Sequence, residues 1–384
     1  MVTEVRTNTL LEIKHISVDY ESTRGTVHAV NDVSFTIERG QILGLAGESG
    51  SGKSTLAYAI ARLLQPPAVV TQGQVLYYPH RREVGETSKD DGPLDILSLN
   101  PAQLRAFRWR ELSIVFQSAM NALNPVLDIG TQITDVLRAH NPLMGTAGAR
   151  SRAVELLRLV GIAPDRLHSY PHELSGGMRQ RAIIAIALAL NPEIIIMDEP
   201  TTALDVVVQR DILAQIKRLR NDFDFSVIFI THDLSLLLEI ADRIAITYAG
   251  RIVEMGTRKD LHSYPRHPYT SGLLHSFPTL HGPHRSLTGI AGSPPDLRSV
   301  PPGCAFHPRC TRAFARCHTI VPTLLPGRTW IPVVSEGSAV RGTRPLSGGQ
   351  GIQVLQGGCV ACHLYDRELN PEDPPRSLES EYVN

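Results

Sequence analysis

The residues most able to do chemistry stand together as GESGSGKST, the run Gly47, Glu48, Ser49, Gly50, Ser51, Gly52, Lys53, Ser54 and Thr55. A glycine, four residues and then Gly-Lys-Ser is the spacing of a phosphate-binding loop. The glycines let backbone N–H groups turn inward around phosphate oxygens at a helix N-terminus. Lys53 reaches the terminal phosphates, and the Ser54 hydroxyl is placed to ligate magnesium. A second constellation closes an apolar run, IIIMDEP, on two adjacent carboxylates. Asp198 is expected to hold the magnesium and Glu199 to polarise an attacking water.

Such groups work only if the right elements carry them. Val33 to Leu45, VSFTIERGQILGL, predicts a strand, a turn at Arg39-Gly40 and a buried strand that delivers the phosphate loop. A helix is expected over about Thr55 to Leu64, then a return to strand in QPPAVVTQGQVLYY. Pro79 to Pro93 is charged and turn-rich and reads as an exposed loop. The middle of the chain, about residues 100–190, carries apolar residues at helical spacing, with Gly161 as one helix stop. EIIIMDEP and FSVIFITHD are continuous apolar runs, as in parallel strands buried on both faces, and a helix is expected between them. The character changes near residue 262, where prolines, glycines and then cysteines take over.

Composition narrows the function classes. The chain has 384 residues, 42% hydrophobic and 20% charged, with 38 basic and 38 acidic side chains. No overall field favours a polyanion, so nucleic acid is not an expected partner. The first residues lack the pattern of a signal peptide, and the longest apolar runs fall well short of the roughly 20 residues that span a bilayer. A cytosolic chain is expected, reaching a membrane only through partner subunits.

Read together, the phosphate loop, FQ, LSGG, MDEP, ALD and THD occur in an order and spacing that resembles the ATP-binding cassette (ABC) ATPases, over about Leu10 to Thr257. The resemblance implies an α/β fold, a P-loop NTPase of ABC type with an antiparallel β subdomain and a helical subdomain. It also implies a nucleotide-binding domain over residues 1–262 and a C-terminal, cysteine-containing extension over 263–384. Tyr20 matches the aromatic that stacks on adenine, and Gln117 the glutamine that approaches magnesium and water. Ser175, Gly176 and Gly177 match the signature loop that contacts ATP bound to an opposite cassette, so catalysis is expected to need a dimer. Asp205 matches the loop coupling the two sites, and His232 the histidine that contacts the γ-phosphate and positions Glu199. The cofactors implied are ATP and Mg2+.

Met178, where many cassettes have glutamine, together with FQSAMNALNPV and RHPYTSGLL, resembles the ATPase subunits of dipeptide, oligopeptide and nickel importers. That branch implies a subunit on the cytoplasmic face of the membrane, a second ABC ATPase subunit that is either a related chain or a copy, two membrane permease subunits and an external substrate-binding protein. The cargo expected is a dipeptide or oligopeptide, with nickel or another small solute as the alternative. A soluble cassette acting on nucleic acid or the ribosome is a further alternative, but it predicts tandem cassettes, a coiled coil or a basic surface, and the sequence has none; a third reading makes the chain a redox-responsive regulator in which the ATPase is secondary.

All five cysteines lie near the C-terminus: Cys304, Cys310, Cys317, Cys359 and Cys362. Only the last pair has the short spacing of a zinc ribbon, whereas a thiolate cage for iron and sulfur accepts varied spacing. The tail is similar to the C-terminal segment of peptide-importer ATPases. That likeness implies a four-iron four-sulfur cluster on Cys304, Cys310, Cys317 and Cys362, with Cys359 left over. Between these ligands lies a second LSGG, Leu346 to Gln350. No apolar helix and no acidic strand end follow it, so Ser175 and not Ser347 is expected to act at nucleotide.

Overall fold

A computed structural model of the chain describes residues 8–23, 25–79, 92–117, 122–202, 204–276, 289–326 and 358–366. The expected loop at 79–93 falls mostly outside them, as do four residues of the FQSAMNALNPV stretch and the whole second LSGG.

Alternating patterns near the N-terminus become a four-stranded antiparallel sheet. β1 (Thr9–Tyr20) pairs with β2 (Val27–Glu38) on one side and β4 (Ala68–Tyr77) on the other, and β5 (Leu94–Asp95) closes the edge. Between them, β3 (Ile42–Ala46) leaves for the larger sheet and hands the chain to α1 (Lys53–Ile60). The helix starts at Lys53 rather than near Thr55 because the phosphate loop runs directly into it. It ends early, where Arg62 turns left-handed at φ 53°.

The larger sheet is built from the apolar runs. β6 (Leu112–Val115), β7 (Ile194–Asp198), β8 (Ser226–Ile230), β3 and β9 (Arg243–Tyr248) lie side by side and parallel. β7 shows why these strands read as unbroken hydrophobic runs. Ile194 and Ile196 enter one core cluster, with α1 and the antiparallel sheet, while Ile195 and Met197 enter the other, with the helices. Strands buried on both faces have no polar side to show.

Antiparallel strands then extend this sheet. β10 (Arg251–Thr257) pairs with β9, β12 (Cys359–Val360) pairs with β10, and β11 (Leu325–Pro326) pairs with β12. Residues of the C-terminal region therefore share hydrogen bonds with the sheet that carries β3 and β7.

The helical middle follows the expected spacing: α2 (Pro101–Phe107), α3 (Ile129–His140), α4 (Thr146–Leu159) and α5 (Gly176–Ala187). α4 gives way within two residues to Gly161, at φ 69° a left-handed position that glycine adopts without strain. α6 (Val206–Phe223) and α7 (Leu234–Ile240) follow β7 and β8. α8 (Arg258–Ser263) and α9 (Pro268–His275) begin the C-terminal region.

Candidate functional site

The phosphate loop crosses the end of β3 under tight steric constraint. Gly47 sits at φ 151°, and a Cβ there would lie 2.2 Å from the carbonyl oxygen of Thr247. At Gly52, φ 97°, a Cβ would meet the carbonyl of Ala29 at 2.2 Å. Both positions admit glycine alone. Lys53 is buried in the fold of the loop, where its ammonium donates to the carbonyls of Gly47 at 2.7 Å and Glu48 at 2.8 Å and to Ser51 Oγ at 3.2 Å. Burial pulls its pKa down to about 8, against the opposing pull of Glu199, Asp198 and Glu48.

The carboxylates arrive on β7, in the strand beside β8. Asp198 is fully buried, and Ser54 Oγ donates to its Oδ1 at 3.0 Å. Burial raises its pKa while the Ser54 hydrogen bond opposes the rise. Its other oxygen, Oδ2, is buried with no hydrogen bond of good geometry among the described residues, and the Tyr58 hydroxyl lies near enough to act on the carboxylate. An orphaned carboxylate oxygen beside a serine hydroxyl is the donor set that a magnesium ion takes.

Glu199 occupies a left-handed backbone position, φ 46°, which is costly for a residue with a Cβ and is held by its N–H bond to the Ile230 carbonyl. Three side chains converge on its carboxylate. Gln117 Nε2 donates to Oε2 at 3.2 Å, Thr202 Oγ1 donates to Oε2 at 3.0 Å, and His232 Nδ1 lies 3.1 Å from Oε1. Glu199, Gln117 and His232 line one open cavity together with Glu48 and Ser49 of the phosphate loop. The arrangement can hold a polyphosphate, a divalent cation and a water beside a carboxylate base.

The other residues expected to act divide into near and remote. Tyr20, at the end of β1, is near: its hydroxyl lies 3.2 Å from Thr55 Oγ1 on α1. Among the described residues, Ser175 has no hydrogen bond to this group and does not line the cavity. It caps α5, its Oγ accepting from Met178 N at 3.3 Å, with Gly176 and Gly177 opening that helix. Asp205 caps α6 by accepting from the N–H groups of Val207 and Val208. One chain thus brings Ser54, Asp198, Glu199, Gln117 and His232 together and leaves Ser175 to Gly177 outside.

The C-terminal region supplies contacts that the motif reading did not find. Glu254 on β10 is buried and accepts from the backbone N–H groups of Arg266 and His267 at 2.8 and 2.9 Å. His267 caps α9, and Pro268 fills its first position, where a missing N–H costs nothing. The Tyr269 hydroxyl accepts from the N–H of Glu48 at 2.8 Å. Tyr248, Tyr269, Phe306 and His267 pack edge to face or tilted, with ring centroids 4.7 to 6.5 Å apart. Arg309 forms a two-bond fork with the Glu48 carboxylate. The signal was present in RHPYT and FHPRC, which carry every one of these anchors except Glu254 and Tyr248.

All five cysteines are free thiols. Cys304, Cys310, Cys317 and Cys362 lie close enough to act on one another electrostatically. Burial raises the pKa of Cys362 well above the thiol range, and the other three add to the rise. Cys310 is pushed up to about 11, by burial first, with Cys304 and Cys317 contributing. Cys359 stands apart, on β12 opposite Met255, where Arg243, Glu254 and Arg266 are its charged neighbours. Among the described residues, no three His, Cys, Asp or Glu side chains are drawn close enough for a single metal ion.

Known proteins resemble the chain across most of its length. Residues 30–202 match the ABC transporter family, and residues 253–317 match the oligopeptide/dipeptide transporter C-terminal region. The oligopeptide transport ATP-binding protein OppD of Bacillus subtilis (strain 168) is 44% identical over 81% of this chain and 84% of its own. The dipeptide transport ATP-binding protein DppD of the same strain is 43% identical over 82% and 90%. A putative peptide import ATP-binding protein of Brucella abortus (strain 2308) is 45% identical over 83% and 92%. Among solved structures, the dimeric post-hydrolysis state of the cassette MJ0796 bound to ADP and Pi superposes with a TM-score of 0.55. It is 27% identical and covers 65% of this chain and 99% of that one.

Proposed function

The chain belongs to the peptide-transport ATP-binding proteins of the ABC transporter family, and from that premise we propose that it binds and hydrolyses ATP to energise a membrane importer of dipeptides or oligopeptides. The observation that carries the reading is the convergence of Gln117, Thr202 and His232 on Glu199, beside Ser54 and the orphaned oxygen of Asp198.

The roles assigned to the residues are those the family resemblance implies, and the geometry around Glu199 and Asp198 supports them. Loop N–H groups and Lys53 hold the phosphates, and Tyr20 offers a ring to the base. A magnesium ion on Ser54 and Asp198 would neutralise phosphate charge. Glu199 takes the proton of the attacking water, and Gln117 and His232 keep its carboxylate oriented. Ser175, Gly176 and Gly177 meet ATP held by a second cassette, a copy or a related chain, and Asp205 lies on the path between the two sites. Residues 1–262 act as the ATPase and 263–384 as the extension. Among the described residues no helix is long and apolar enough to cross a membrane. Two permease subunits would supply the path across the bilayer, an external binding protein the cargo, and the cytoplasmic face the location.

Reconstitution tests the assignment. ATPase activity of the chain assembled with its permeases should rise with peptide-loaded binding protein. Stimulation by nickel and not by peptide would move the chain to the alternative cargo, and activity indifferent to permeases would remove the transport role.

A second reading concerns the thiols. A four-iron four-sulfur cluster spreads its thiolates wider than a lone zinc ion, whose Zn–S bonds of about 2.3 Å draw four sulfurs tightly together. Cys304, Cys310, Cys317 and Cys362 would hold it, and its iron–thiolate bonds would join segments of chain far apart in sequence. The mutual proximity of these four, with Cys359 excluded, supports the reading. Iron and acid-labile sulfide in full chain purified without oxygen, lost in Cys310→Ser, is the expected result; zinc or no metal rejects it.

A further inference from the structure

The phosphate loop carries a negative charge where its ligand is also negative. Glu48 follows Gly47 and lines the same cavity as Ser49, Gln117, Glu199 and His232, and its carboxylate lies close enough to act on the Lys53 ammonium. Left alone, that carboxylate would repel a polyphosphate.

It is not left alone. Arg309 donates from one terminal nitrogen to Glu48 Oε2 at 2.6 Å and from the other to Oε1 at 3.0 Å, a fork that fixes direction as well as charge. The Arg309 side chain is 5% exposed. Its Nε donates to the carbonyl of Ala291 at 2.8 Å, and the guanidinium carbon lies 5.9 Å from the Tyr248 ring and 6.0 Å from the Phe306 ring. A rigid planar cation held by carbonyl and rings loses little freedom in gripping a carboxylate. Tyr269 meanwhile accepts from the N–H of the same Glu48. The loop is thus held by its main chain and its side chain from the region after residue 262. Arg309 adjoins Cys310, on the turn that begins with Cys304.

We propose that Arg309 is a positioning residue for nucleotide: it cancels the Glu48 charge beside the phosphates and ties the set of the phosphate loop to the segment bearing Cys304 and Cys310. ATP affinity then depends on how that segment is docked. By reciprocity, bound nucleotide strengthens the docking by the same factor. The inference rests on the nucleotide-site reading above.

Binding of a fluorescent ATP analogue with magnesium to the full chain tests it. Arg309→Gln keeps side-chain bulk and removes the charge, and it should weaken binding about tenfold at low salt, a deficit that shrinks as added salt screens the repulsion. Adding Glu48→Gln to that variant should recover most of the loss, because the uncompensated carboxylate is then gone. A merely structural Arg309 predicts the opposite, a deficit that neither salt nor Glu48→Gln relieves, and that result overturns the proposal. So does wild-type binding by Arg309→Gln. Lys53→Ala separates the two levels of argument. If Lys53→Ala binds as tightly as wild type, the nucleotide-site reading falls and the proposal with it. If Lys53→Ala loses binding while Arg309→Gln keeps it, only the proposal falls.

Discussion

The nucleotide site and the cysteine-bearing region are both clusters of reactive side chains, and they are assembled in different ways. In the first, each group stands at the end of a regular element: Lys53 and Ser54 open α1, Asp198 ends β7, and His232 follows β8. In the second, Cys304, Cys310, Cys317 and Cys362 sit on turns, held by aromatic packing, by Glu254 and by a two-residue strand. Strand ends and helix starts converge because the parallel sheet makes them converge. Turns converge only when several distant contacts hold at once. The first site is therefore expected to fail by chemistry and the second by undocking.

The largest test of that contrast is Glu199→Gln. It keeps shape and hydrogen-bonding capacity but removes the base, so turnover should fall about 10³-fold while ATP remains bound. Single-turnover hydrolysis and nucleotide retention measure both sides, and activity near wild type would put the base elsewhere. Ser175→Arg in the assembled dimer should be comparably damaging, with fold and single-chain nucleotide binding retained.

A smaller effect is expected in the other region, and it depends on pH. His267 is buried, and burial pulls its pKa from 6.5 down to about 3. The unfolded chain therefore takes up the proton first. The associated stability is complete above about pH 6.5 and declines as pH falls toward 3, by about 2 kcal/mol at pH 5. Hydrogen exchange in α9 at pH 7.5 and 5 should show this in wild type and not in His267→Asn, which can still cap the helix. Equal pH sensitivity in the two chains would contradict it. The smallest effect is none: Ser347→Arg should leave ATPase activity unchanged, and a loss would mean that the second LSGG acts at nucleotide after all.

The candidate nucleotide site was legible because its physics is local. A loop that admits only glycine at Gly47 and Gly52 must spell those glycines in order, and a strand buried on both faces must read as IIIM before its carboxylates. Periodicity placed α3 and α4 for similar reasons. Three features were not legible. The start of α1 at Lys53 hides in the loop motif itself. The pairing of Arg309 with Glu48 joins residues with no shared pattern. The attachment of β12 to β10 rests on two residues, too few for any period to register.

That attachment bears on how the chain comes to be folded. Until Cys359 and Val360 have been synthesised, Glu254 and Met255 of β10 lack the strand that pairs with them, leaving a stretch of edge open to pairing with another chain. Every strand from β1 to β11 is made before that pairing can form. Growing chains truncated short of β12 should therefore lean on chaperones and aggregate more readily than the finished protein, although their catalytic motifs are already complete.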